Sequence, residues 1–161
     1  MVNLVIMRHG EAAPIASADK LRPLTTKGID DVKQMATWLY KQYGSFDYIW
    51  ASPYLRTKQT AELMLAKQPN YSQLNLISDL VPEADVAMLQ SYLDAFLATK
   101  PDAKVLLVSH MPLVSFLVAQ FTDYSQTPVF SPAQLACIDY KPQQRGQLVK
   151  LFNTADLALL S

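Results

Sequence analysis

Along this chain, apolar and β-branched runs alternate with segments whose apolar residues recur at three- and four-residue steps, and this alternation limits the possible folds more than any other feature. The runs NLVIM (3–7), FDYIWAS (46–52) and KVLLVS (104–109) read as strands, each followed by a helical segment. A strand, a helix and a further strand in sequence imply crossover connections and a parallel sheet. KVLLVS is apolar without interruption, as expected of a central strand covered on both faces. A short edge strand is expected near Leu76 to Ser78. QLACIDYK and GQLVKLFN, flanking PQQR, read as a hairpin that borders the sheet. The expected architecture is α/β in three layers, with a mostly parallel central sheet and one domain spanning 1–161.

The helical segments carry recognisable ends. PLTTKGIDD opens a helix capped by Thr25 or Thr26, in which Ile29, Val32, Ala36, Leu39 and Tyr43 share one face. SPYLRTKQTAELMLAKQ places Ser52 at an N-cap and Pro53 at the first helical position, with Arg56 in the first turn. Leu89, Leu93, Phe96 and Leu97 form the stripe of a helix over 85–98, and PLVSFLVAQF forms another after Ser109-His110-Met111-Pro112.

Charge and composition narrow the function. Basic and acidic residues balance at 14 each, so no generally basic surface is available for nucleic acid, and attraction for anions must be local. No apolar run approaches the roughly 20 residues that span a bilayer, and no basic, cleavable leader precedes the first strand, so a cytoplasmic protein without membrane association is expected. The single cysteine, Cys137 in LACIDY, reads as a core thiol and fits a reducing compartment.

Three polar clusters fall at expected strand exits: Arg8-His9-Gly10, Ser52 with Arg56, and Ser109-His110. Ligands of open α/β sheets bind at that edge. The clusters include two arginines and both histidines of the chain. Arginine forks match phosphate oxygens, helix N-termini favour anions, and imidazole serves as nucleophile or proton carrier, so phosphoryl transfer is the chemistry this set supports. Gly10, without a Cβ, reads as a place where backbone approaches the anion closely. Other chemistries lack their signatures. Position 143 is glutamine, so Cys137 heads no Cys-x5-Arg loop. No nucleotide-binding glycine motif occurs, and two histidines 101 positions apart with no acidic cluster suggest no metal.

MRHGEA, SPYLRTKQTA and VSHMP, in that order, resemble the histidine phosphatase superfamily, also called phosphoglycerate mutase-like. LRPLTTKG after a short first loop, in a chain of this length, resembles its SixA-like group of phosphohistidine phosphatases. The resemblance implies that His9 is the phosphorylated nucleophile and that Arg8, Arg56 and His110 surround the phosphoryl group. It places Arg22 near the pocket, either touching substrate or anchoring the first loop, and implies no metal or cofactor. The expected function is a phosphatase with a phosphohistidine intermediate, acting on phosphohistidine of a protein such as a phosphotransfer domain. Imidazole is a better leaving group than an alkoxide, and the chain is short where larger relatives carry an acid. A phosphatase of small esters or sugar phosphates is the alternative, with Glu83 or Glu11 as general acid. A phosphate-binding module without turnover is a further one.

Overall fold

The computed structural model describes residues 1–123 and 127–160. Six strands form one sheet: β1 (Leu4–Arg8), β2 (Tyr48–Ala51), β3 (Gln73–Leu76), β4 (Val105–Ser109), β5 (Leu135–Asp139) and β6 (Gln147–Phe152), in the order β3-β2-β4-β1-β5-β6. The four strands β3, β2, β4 and β1 are mutually parallel, and the β5–β6 hairpin adds to β1 antiparallel. The edge strand lies three residues earlier than the sequence expectation.

Side chains alternate across the sheet, and each set has its own helical cover. Val5, Met7, Ile49, Ala51, Leu106 and Val108 face α1 (Thr26–Tyr43) and α2 (Leu55–Leu65), where Val32, Met35, Leu39, Ala61 and Met64 close one core. Leu4, Ile6, Trp50, Val105 and Leu107 face α3 (Val86–Thr99) and α4 (Leu113–Phe121), with Leu89, Leu93, Leu117 and Phe121 in the second core. The fold is therefore a three-layer α/β/α sandwich. Cys137 is buried in β5, and burial pushes its thiol up to about 12.

Caps show how the chain ends its loops. Thr25 accepts from Gly28 N at the start of α1, and Asp85 accepts from Ala87 N at the start of α3. The helix after β2 departs from expectation: it starts at Leu55, and its N-cap Tyr54 makes no side-chain cap bond. Ser52 has another use, described below. A final short helix, α5 (Thr154–Leu157), opens with a capping box between Asn153 and Asp156. Among the described residues, no helix is long and apolar enough to cross a membrane.

Strand register positions the site. Arg8 pairs with Ser109 at the last rung of β1–β4, and Ala51 pairs with Val108 in β2–β4. His9, His110 and Ser52 are thus the first residues beyond three neighbouring parallel strands, and they emerge on a common sheet edge.

Candidate active site

The backbone of His9 is held on both sides: its N–H donates to Ser109 O at 3.0 Å, and its carbonyl accepts from Ala133 N at 2.9 Å. The imidazole is fixed as well. Nδ1 lies 2.6 Å from Gly10 O, and a carbonyl can only accept, so Nδ1 carries the proton. The lone pair of Nε2 then receives the Nε–H of Arg56 at 3.3 Å. The ring of His110 stands edge-on to that of His9, with centroids 5.4 Å apart.

His110 meets Ser52, whose Oγ lies 2.8 Å from Nε2. The serine expected to cap a helix accepts from Tyr54 N at 3.3 Å ahead of α2, and the same hydroxyl also supports an imidazole. Tyr54, which the sequence did not single out, packs against the same group, its ring 5.0 Å from that of His110 and 5.1 Å from the Arg56 guanidinium carbon. Arg56 is buried in the first turn of α2, with Nη1 donating to Asp19 O at 2.8 Å and Nη2 to Asp19 Oδ2 at 3.2 Å. Arg8 donates from Nη1 to Phe130 O at 2.8 Å. Arg22 anchors the first loop, donating from Nε to Ala13 O at 2.8 Å and from Nη1 to Asp19 Oδ1 at 3.1 Å.

Among the described residues, two buried nitrogens, Arg8 Nε and His110 Nδ1, have no hydrogen-bond partner. Buried polar atoms are rarely left so, and an oxyanion would satisfy them. Burial foremost, and then the neighbouring guanidiniums, hold His9 down to about 4, although its bond to Gly10 works the other way. Burial also leads for His110, followed by His9, Arg56, Arg22 and Arg8, and holds it down to about 3. Both imidazoles are neutral near pH 7. Arg8 is pulled below its ordinary value by burial foremost, and further by the neighbouring guanidiniums of Arg22 and Arg56. Such a cluster of cations suits an anion, and the neutral Nε2 of His9 lies within it, held by Arg56.

Gly10 differs from its sequence reading. Its N–H donates to Thr60 Oγ1 at 3.1 Å, and a Cβ there would lie 2.7 Å from Val32 Cγ2 and 3.0 Å from Gly28 O. The missing side chain makes room for α1, not for a ligand. Glu11 points its carboxylate to the Thr25 hydroxyl, 3.2 Å away at the start of α1. Glu83 is exposed in the turn before α3, with no hydrogen bond or ion pair to the described site residues. Its turn follows Leu80, whose carbonyl accepts from Ser109 Oγ at 2.7 Å. Asp19 and Tyr54 are the site neighbours that sequence reasoning missed. The one signal for Asp19 was a carboxylate three positions before Arg22 in SADKLRP.

Known proteins share this arrangement of chain. Residues 4–80 match the family model of the histidine phosphatase superfamily (branch 1). The phosphohistidine phosphatase SixA of Escherichia coli is 37% identical over 145 residues, 90% of this chain and 89% of that one. The SixA homolog of Haemophilus influenzae is 32% identical over 152 residues, 84% of this chain and 86% of that one. A solved structure of the protein histidine phosphatase SixA complexed with tungstate superposes with a TM-score of 0.90 at 34% identity, covering 96% of this chain and 98% of the other. With the sheet order, the paired imidazoles and this extent of identity in agreement, the chain belongs to the histidine phosphatase superfamily, in its SixA group.

Proposed function

We propose that this protein removes phosphate from phosphohistidine on a cytoplasmic partner protein, with His9 as the nucleophile. One observation carries the reading: the His9 ring is locked by Gly10 so that a neutral Nε2 faces Arg56 and the second imidazole. In the first step the Nε2 lone pair forms a bond to phosphorus while the substrate's P–N bond breaks, and the departing imidazole keeps that electron pair. Arg56 gives up its contact with Nε2 as phosphorus arrives, and its guanidinium, with Arg8 and His110, takes the equatorial oxygens. Water then attacks phospho-His9 and releases orthophosphate, restoring the neutral ring.

The choice of substrate rests on the leaving group and on the relatives' names. An imidazole whose other nitrogen is protonated leaves without a strong acid, and neither carboxylate considered for that task is bonded into the imidazole–guanidinium cluster. The relatives at 37% and 32% identity are named as a phosphohistidine phosphatase and its homolog. Incubation with a protein phosphorylated on histidine tests the reading. The wild type should release orthophosphate and carry a transient, acid-labile label on His9, and His9→Ala should lose about a thousandfold or more in turnover. Equal turnover by the two would overturn it. Glu83→Ala separates the ester reading: a large loss on an alkyl phosphate, with little on phosphohistidine, would favour small esters.

A further inference from the structure

Three guanidiniums and two imidazoles gather at this site, and Asp19 is the carboxylate that ion-pairs with its arginines among the described residues. It does so twice, with Oδ2 on Arg56 and Oδ1 on Arg22, while its carbonyl takes a further N–H of Arg56. These contacts occupy both terminal nitrogens of Arg56 and leave the Nε edge turned to His9 Nε2. The two partners are unequally placed. The Arg56 side chain is 6% exposed and that of Asp19 is 60% exposed. A buried cation without a counter-charge is costly, so Arg56 stays where it is, whereas the carboxylate at the rim can move into water at little expense.

We propose that Asp19 is a resident anion of the phosphoryl pocket: it positions Arg56 toward His9, and it competes with free phosphate for the same guanidiniums. Asp19 is thus a positioning residue that acts through Arg56 and Arg22. A phosphoryl group delivered by substrate brings its own charge to the forks and displaces the carboxylate. Once orthophosphate has formed, the returning carboxylate helps to expel it. The inference rests on the phosphatase reading above for its biological meaning, but its physical content is a competition between two anions that binding alone can measure.

The experiment is titration of orthophosphate, and separately of orthovanadate, into the wild-type protein, Asp19→Asn and Asp19→Glu, followed by calorimetry at low salt. The asparagine keeps the shape and one acceptor but removes the charge. It should bind orthophosphate about two- to fivefold more tightly than the wild type, the size expected of one exposed ionic contact, and Asp19→Glu should restore the weaker binding. A side chain needed only for folding would weaken binding when changed, so a gain in affinity is specific to the proposed role. Affinity in Asp19→Asn equal to or weaker than that of the wild type would overturn the proposal. Because no substrate is used, the result stands apart from the phosphatase reading. If no phospho-His9 forms in the wild type, that reading fails while the anion competition is still decided.

Discussion

The Nε of Arg56 lies 3.3 Å from Nε2 of His9, so the lone pair that the proposed mechanism uses already touches a buried guanidinium. Strand and helix fix this pair separately: His9 hangs from the last rung of β1, and Arg56 stands in the first turn of α2. A point charge on a flexible stem could not repeat the contact. Arg56→Lys keeps the charge but loses the Nε edge and the fork that spans Asp19, so kcat should fall about a hundredfold with the fold intact. Steady-state turnover beside a circular dichroism spectrum checks this. Wild-type kcat in the lysine variant would show that charge alone suffices.

The two imidazoles make stability depend on pH. In the unfolded chain each takes a proton near 6.5, whereas in the folded protein His9 does so at about 4 and His110 at about 3. Between these values the unfolded state binds more protons, so stability rises with pH through that window. The contribution is complete above about 6.5 and is lost as pH falls toward 4 and then 3. Urea midpoints measured from pH 7.5 to 4 should decline. The decline should be shallower in His110→Gln, which removes one of the two groups, and an unchanged slope there would count against burial as the cause.

Gly10 and Gly28 meet where β1 turns beneath α1, and their substitution separates packing from chemistry. A Cβ on Gly28 would lie 2.2 Å from the carbonyl oxygen of Glu11, an atom of the backbone that cannot swing aside. At Gly10 the nearest contact is the end of the Val32 side chain, though Gly28 O follows at 3.0 Å. Alanine is ordinarily the better helix former by about 1 kcal/mol, so the sign of the Gly28 change reports the clash directly. Gly28→Ala should destabilise by about 3 kcal/mol and Gly10→Ala by less, measured by denaturant unfolding. Stabilisation by Gly28→Ala would mean that α1 can move away freely.

The sequence made much of this arrangement legible, because the strands that matter are buried on both faces and both histidines follow them directly. KVLLVS became β4, flanked by β1 and β2, and Thr25 and Asp85 stand where helix starts were expected. Ser52 does accept from Tyr54 N, but the helix begins at Leu55 rather than at Pro53, and the further bond of Ser52 to His110 escaped local rules because it joins residues 58 positions apart. Asp19 was missed for the same reason: its partner Arg56 is 37 residues away, and one carboxylate in a polar loop carries no period or motif. Gly10 reads as ligand-facing in sequence because it adjoins Arg8 and His9, while the packing demand comes from Gly28 and Val32 on another element. Short-range pattern identified the strands and most helices, but long-range polar contacts decided the details of the site.

Ser52 offers the final test, since its hydroxyl is the described partner of the His110 ring. Nδ1 of that ring is already buried without a hydrogen bond among the described residues, and removing Oγ would leave Nε2 in the same condition. An unsatisfied buried nitrogen costs about 1–3 kcal/mol, so Ser52→Ala should lower stability by an amount in that range. The ring would then be held only by its edge contacts with Tyr54 and His9. His110 would then meet the phosphoryl oxygens less often, and kcat should fall about tenfold with KM changed little. Ser52→Thr retains the hydroxyl and should recover part of the rate. If Ser52→Ala matched the wild type in both denaturant midpoint and kcat, the orientation of His110 would have to come from packing alone.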